Sequence, residues 1–100
     1  MGIIYYYKEV NKEETLPMQI TKPSETLTGY TFNISAKQSF TVCVSNGEFP
    51  YCSMSTKTIG ARNLPFQKVF HGEDCLIQAL ESYKRATIKK AIRQVISNQA

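Results

Sequence analysis

Between Gly29 and Met54 the chain alternates. In "YTFNIS", Tyr30, Phe32 and Ile34 take one set of alternate positions while Thr31, Asn33 and Ser35 take the other, and "SFTVCVS" repeats the pattern with Phe40, Val42 and Val44. A period of two is that of a strand with one face buried and one face wet, so the pattern predicts two strands joined by a short loop at "AKQ". Asn46 and Gly47 follow, and both tolerate the positive φ that a type I′ turn requires, so a hairpin into a third strand is expected. With Asn46 and Gly47 at its centre, Val44 faces Phe49 and Val42 faces Tyr51, leaving Thr41, Cys43, Cys52 and Met54 on the other face. A turn at Gly47 and Glu48 would instead set Val42 against Ser53, Phe40 against Ser55 and Cys43 against Cys52. Burial of apolar side chains favours the first register. Pro50 has no amide hydrogen to give, which marks the third strand as an edge or bulged strand.

The flanks read differently. "GIIYYYKEV" is apolar or aromatic on both alternating sets, as in a strand covered on both sides. Residues 11–28, with Pro17 and Pro23, form a connector containing one short strand at "MQIT". "TIGARNLPFQ" reads as a surface loop, and "FQKVF" as a further short strand. From Gly72 the period becomes helical: Ile77, Leu80, Tyr83, Ile88, Ala91, Ile92 and Val95 recur at three- and four-residue intervals to about residue 97. Glu73 and Asp74 lie where the helix dipole is positive. The apolar helix arc and the apolar face of the meander have only each other to cover them. The expected architecture is therefore α+β, an antiparallel β-sheet of three to five strands packed against one long C-terminal α-helix. One domain over residues 1–100 is expected, with an N-terminal strand and connector (1–28), a meander (29–71) and a helix (72–97).

Charge sharpens this picture. Twelve Lys and Arg face eight Asp and Glu, a formal charge of +4, and residues 81–100 hold five bases against Glu81 alone. Such a balance favours an acidic partner, nucleic acid above all. At 100° per residue, Arg85, Lys89 and Arg93 fall on one stripe opposite the centre of the apolar arc, with Lys90 beside them and Lys84 inside the arc. The step between them, about 6 Å, suits a ladder of phosphates. A solvated helix face, with bases offsetting the dipole at a helix C-terminus, explains the stripe as simply as a binding face does. Two features favour binding: the scarcity of acids among these bases, and the further cations Lys57, Arg62 and Lys68 before the helix.

Catalytic and metal chemistry find little to work with. His71 and Cys75 have the separation for a thiol at a helix start, but no orienting acid or oxyanion hole accompanies them. Cys43, Cys52, His71 and Cys75 do not have the spacing of a zinc knuckle. No catalytic residue, metal ligand or cofactor is expected, and the three cysteines read as reduced and packed. No apolar run reaches bilayer length and no leader is evident, so a cytoplasmic protein with no membrane partner is expected.

The run "FQKVFHGEDCLIQALESYKRA" after a three-stranded meander resembles the ethylene-response-factor domain and its relatives in phage integrase arm-binding domains and homing endonucleases. The likeness rests on Phe70, Glu73, Asp74, Ala79 and Tyr83. It implies a DNA-binding role, but that family reads the major groove with Arg and Trp on the strands, and these strands carry neither. The helix bases are then the better candidates. Two functional readings follow: a small non-catalytic nucleic-acid-binding protein, such as a phage or mobile-element accessory factor, or a phage-encoded inhibitor of a host defence nucleoprotein complex, anti-CRISPR-like, anchored by its Tyr-rich strand. A homodimer paired through strand edges is a third.

Overall fold

A computed structural model describes residues 16–60 and 66–99. The expected strand in "GIIYYYKEV" and the candidate Arg62 lie outside the described residues. Five strands, β1 (Met18–Thr21), β2 (Leu27–Asn33), β3 (Gln38–Ser45), β4 (Tyr51–Thr58) and β5 (Phe66–His71), form one antiparallel sheet whose spatial order is the chain order. Two helices follow, α1 (Cys75–Ser82) and α2 (Ala86–Gln99). They cover one face of the sheet, giving the expected α+β class. "MQIT" and "FQKVF" are strands, as their patterns suggest.

Alternation decides which side chains meet the helices. Tyr30 and Phe32 on β2, Phe40, Val42 and Val44 on β3, and Cys52 and Met54 on β4 are buried against Cys75 and Ala79 of α1 and Ile88, Ala91, Ile92 and Val95 of α2. Phe32 and Phe40 are fully enclosed, each contributing about 1.5–3 kcal/mol by burial.

The hairpin between β3 and β4 takes neither register expected from the sequence. Val44 pairs with Cys52, Val42 with Met54 and Ser45 with Tyr51, so Cys52 and Met54 face the core. Residues 46–50 form an open loop in place of a two-residue turn. Gly47 lacks the positive φ of a type I′ turn, which among the described glycines belongs to Gly60 and Gly72 alone. The Asn46 amide donates instead to the Thr26 carbonyl at 2.8 Å, and the Pro50 carbonyl accepts from the Gly72 amide at 2.9 Å. The longer loop absorbs Pro50 before the strand begins, which lets β4 lie inside the sheet between β3 and β5 rather than at its edge.

The single helix expected over residues 72–97 is two. Tyr83 is extended (φ −91°, ψ 143°) and its amide donates to the Ala79 carbonyl, closing α1. A continuous helix of roughly 37 Å would overrun strands of about 26 Å. Apolar phase gives the second reason. Cys75, Leu76, Ala79, Leu80 and Tyr83 centre about 140° away from Ile88, Ala91, Ile92 and Val95 on one helical wheel, so a straight rod could not turn both sets to the sheet. The break lets α2 fold back beside α1, with Ile96 returning to the cleft that Cys75, Leu76 and Ile77 also line. Ile77, expected in the core, is 47% exposed. Lys84 lies in the exposed linker rather than within an apolar arc.

Candidate nucleic-acid interface

One end of the sheet carries the connection at residues 34–37, the close of β4 and the linker between the helices. Hydrogen bonds tie these pieces together. The Arg85 guanidinium donates through Nη1 to Gln38 Oε1 at 2.9 Å, Gln38 Nε2 donates to Thr58 Oγ1 at 3.2 Å, and the Ile59 amide donates to the Lys37 carbonyl at 2.8 Å. Lys57 pairs across the sheet with Ser39, one residue from Gln38. Lys37, Lys57, Lys84 and Arg85 are therefore exposed at the same end. The partner of Arg85 is a neutral amide, so its hydrogen bond fixes the side chain without cancelling the charge.

The helix break changes the electrostatic meaning of the bases. The Arg85 carbonyl accepts the Lys89 amide at 3.0 Å, which makes Arg85 the residue that opens α2. Arg85, Lys89 and Lys90 thus lie at the positive end of the α2 macrodipole, and the first turn contains no acid and the last no base. Compensation of the α2 dipole, one of the two explanations open from the sequence, is removed for these residues, although Lys89 reaches across to the C-terminal end of α1. Arg85, at the helix start, costs about 0.3–1 kcal/mol in helix stability, and the effect fades by Lys90 beyond the first turn.

The remaining candidates divide. Arg93 is exposed one turn further along α2, and Lys90 is half-buried. Lys89 is half-buried because its ammonium donates to the Leu80 carbonyl at 3.0 Å, satisfying a C-terminal acceptor of α1. Lys68 lies on the helix side of β5, its Nζ 4.8 Å above the Tyr83 ring and 3.5 Å from Ser82 Oγ. Tyr83 in turn meets Phe40 edge-to-face, ring centroids 5.8 Å apart. Lys89 and Lys68 thus brace the helix break as well as charging it. Gln38 was missed from sequence, since only the fold brings the residue 38 turn to the start of α2.

The outer sheet face carries Thr31, Thr41 and Ser55 in one cross-strand row, with Ser39 opposite Lys57 and Ser53 opposite Cys43, and the Thr31 and Thr41 hydroxyls are 3.4 Å apart. Ser35 and Lys37 lie off this face, in the connection between β2 and β3.

The thiols are separated by the same alternation. Cys43 is on the outer face, while Cys52 and Cys75 are in the core. Burial pushes the Cys52 thiol well above its ordinary value, helped by a hydrogen bond and charge coupling with Cys75. Burial also raises the Tyr83 phenol, with a smaller effect from Cys52. His71 stands on the outer face beside the Tyr51 ring, 6.3 Å between centroids, across the sheet from Cys75. Among the described residues no group of three or more His, Cys, Asp or Glu side chains is placed to hold a metal ion, and no helix is long and apolar enough to cross a membrane. No protein-family model, curated protein or solved structure matches the chain.

Proposed function

We propose that the protein binds nucleic acid through this basic end, without catalysis, by charge contacts to phosphates. One observation carries the reading: Arg85, Lys89 and Lys90 lie at or near the positive end of α2, where carboxylates would stabilise the helix, at the end of the sheet that also carries Lys37 and, on the outer face, Lys57. A surface that keeps like charges where they weaken its own helix is suited to an anionic ligand, which relieves the repulsion on binding. Phosphate oxygens fit because the cations come from a turn, a strand end and a helix start, an array that follows a backbone rather than enclosing a small ion. The outer strands present Ser and Thr rather than Arg or Trp, so the contacts fall on the loops and the helix start rather than on a sheet inserted into a groove.

Anisotropy titrations of a labelled mixed-sequence duplex over a series of salt concentrations test this. With four or five phosphates neutralised, log affinity falls against log salt with a slope of about −4. A flat dependence, or absence of binding at low salt, overturns the reading.

A further inference from the structure

The opposite end of the molecule has the reverse character. The loop at residues 46–50, the Gly72–Glu73 junction, the first turn of α1 and the last turn of α2 enclose a cleft of about 440 Å³. Its floor and walls include Val44, Pro50, Leu76, Ile77 and Ile96, and Glu48 and Glu73 stand among its lining residues. Both carboxylates are exposed. The loop that forms one wall holds Phe49 out in solvent at 81% exposure, and Ile77 is 47% exposed at the helix side. A large aromatic side chain left in water beside an apolar recess is an uncommon arrangement for a surface without a partner. The C-terminal end of α2 and the N-terminal end of α1 both back the cleft and offset each other, so its charge rests on Glu48 and Glu73.

We propose that this cleft docks a segment of a partner protein in which an apolar anchor side chain is flanked by Lys or Arg residues. The volume lies in the range of cavities that accept a bulky side chain with its neighbours. Val44, Leu76 and Ile96 receive the anchor, Phe49 folds over it, and Glu48 and Glu73 pair with the flanking cations. Complementarity of charge sets the class of partner: an acidic segment is repelled here, and nucleic acid more so. The site is distinct from the basic end and stands whether or not that end binds nucleic acid.

The probe is a fluorescein-labelled peptide, Gly-Lys-Arg-Leu-Phe-Arg-Lys-Gly, titrated with the full chain. Binding is expected in the range of about 10–500 µM. A peptide with Glu in place of every Lys and Arg should not bind, and one with Ser in place of Leu and Phe should bind at least about tenfold more weakly. In the protein, combined Glu48→Lys and Glu73→Lys should weaken binding at least tenfold, and Phe49→Ala several-fold. Glu48 and Phe49 are exposed loop positions whose variants should keep the wild-type thermal transition, whereas Glu73→Lys puts a cation beside the positive end of α1 and should lower it by several degrees, so binding is read well below the transition, and a duplex-binding titration on the same samples reads the basic end separately. No anisotropy change up to about 1 mM protein overturns the proposal. So does equal binding of the Leu/Phe→Ser peptide, which would mean charge alone, or binding indifferent to the double charge reversal.

Discussion

Arg85→Asp should make the protein more stable and a poorer ligand for nucleic acid at once. Arg85 opens α2, its carbonyl accepting the Lys89 amide, and Asp is among the preferred residues at that position because its carboxylate accepts an exposed amide of the first turn. A cap of this kind is worth about 1 kcal/mol. Exchanging a cation for an anion at the positive end of the dipole adds about 0.6–2 kcal/mol. Against this stands loss of the exposed bond to Gln38, about 0.5–1 kcal/mol. The balance is a gain of about 1.5 kcal/mol, or a rise in Tm of about 6–12 °C for a domain of this size. Binding moves the other way. Two units of charge are lost at the interface, so the salt slope should fall by about 1.8, which is a weakening of about 60-fold at 0.1 M salt if the curves converge near 1 M. Differential scanning calorimetry and anisotropy on one preparation give both numbers. If Arg85→Asp lowers Tm while leaving affinity unchanged, Arg85 is a structural residue and the basic end is not the interface.

Four further outcomes are expected. Gln38→Glu is nearly isosteric and turns the Arg85 contact into an ion pair, so stability should stay within about 1 kcal/mol while affinity at 0.1 M salt falls about eightfold; Gln38→Ala, with no added charge, should change affinity less than about twofold. Gln94 receives the Leu16 amide on Oε1 at 2.9 Å and donates from Nε2 to the Leu16 carbonyl at 3.0 Å, so Gln94→Ala should cost about 1–2 kcal/mol in urea unfolding. Lys89→Met keeps the apolar stem but deprives the Leu80 carbonyl of its donor, and should cost about 1 kcal/mol net of the relieved dipole repulsion. The fourth concerns pH. Cys52 and then Tyr83 have folded-state pKa values raised above the unfolded ones, so their contribution is complete below the unfolded thiol pKa of about 8.5 and is lost above it, at up to about 1.4 kcal/mol per pH unit for the thiol. Denaturant midpoints should therefore fall between about pH 9 and 11, and Cys52→Val should flatten that fall; an unchanged pH dependence in the variant would refute the attribution.

Fold class was legible because alternation at Tyr30–Phe32 and Phe40–Val44 and helical spacing at Ile88–Val95 are local patterns with one physical meaning. The hairpin register was not. Asn46-Gly47 is a strong local turn signal, but the bonds that override it, from Asn46 to Thr26 and from Gly72 to Pro50, join segments far apart in the chain. The break at Tyr83 has no Gly or Pro to announce it. The apolar phase slip between Ala79 and Ile88 was present in the sequence, but Ile77, an exposed apolar residue in phase with Ile88 and Val95, masked it. Half of the basic end could be read from the run of bases at residues 84–93. Lys37 and Lys57 were visible only as separate bases, and their gathering at one end around the neutral anchor Gln38 depends on strand pairing that no local spacing encodes.

The most direct measurement is the map of amide chemical-shift changes in the labelled protein when duplex DNA is added at low salt. The account predicts that they gather at Lys37, Gln38, Lys57, Thr58 and residues 84–90, spare Glu48, Glu73 and Ile77, and fade as salt is raised. Changes centred on the cleft around Glu48 and Ile77, or spread over the outer sheet at Thr31 and Thr41, would contradict it.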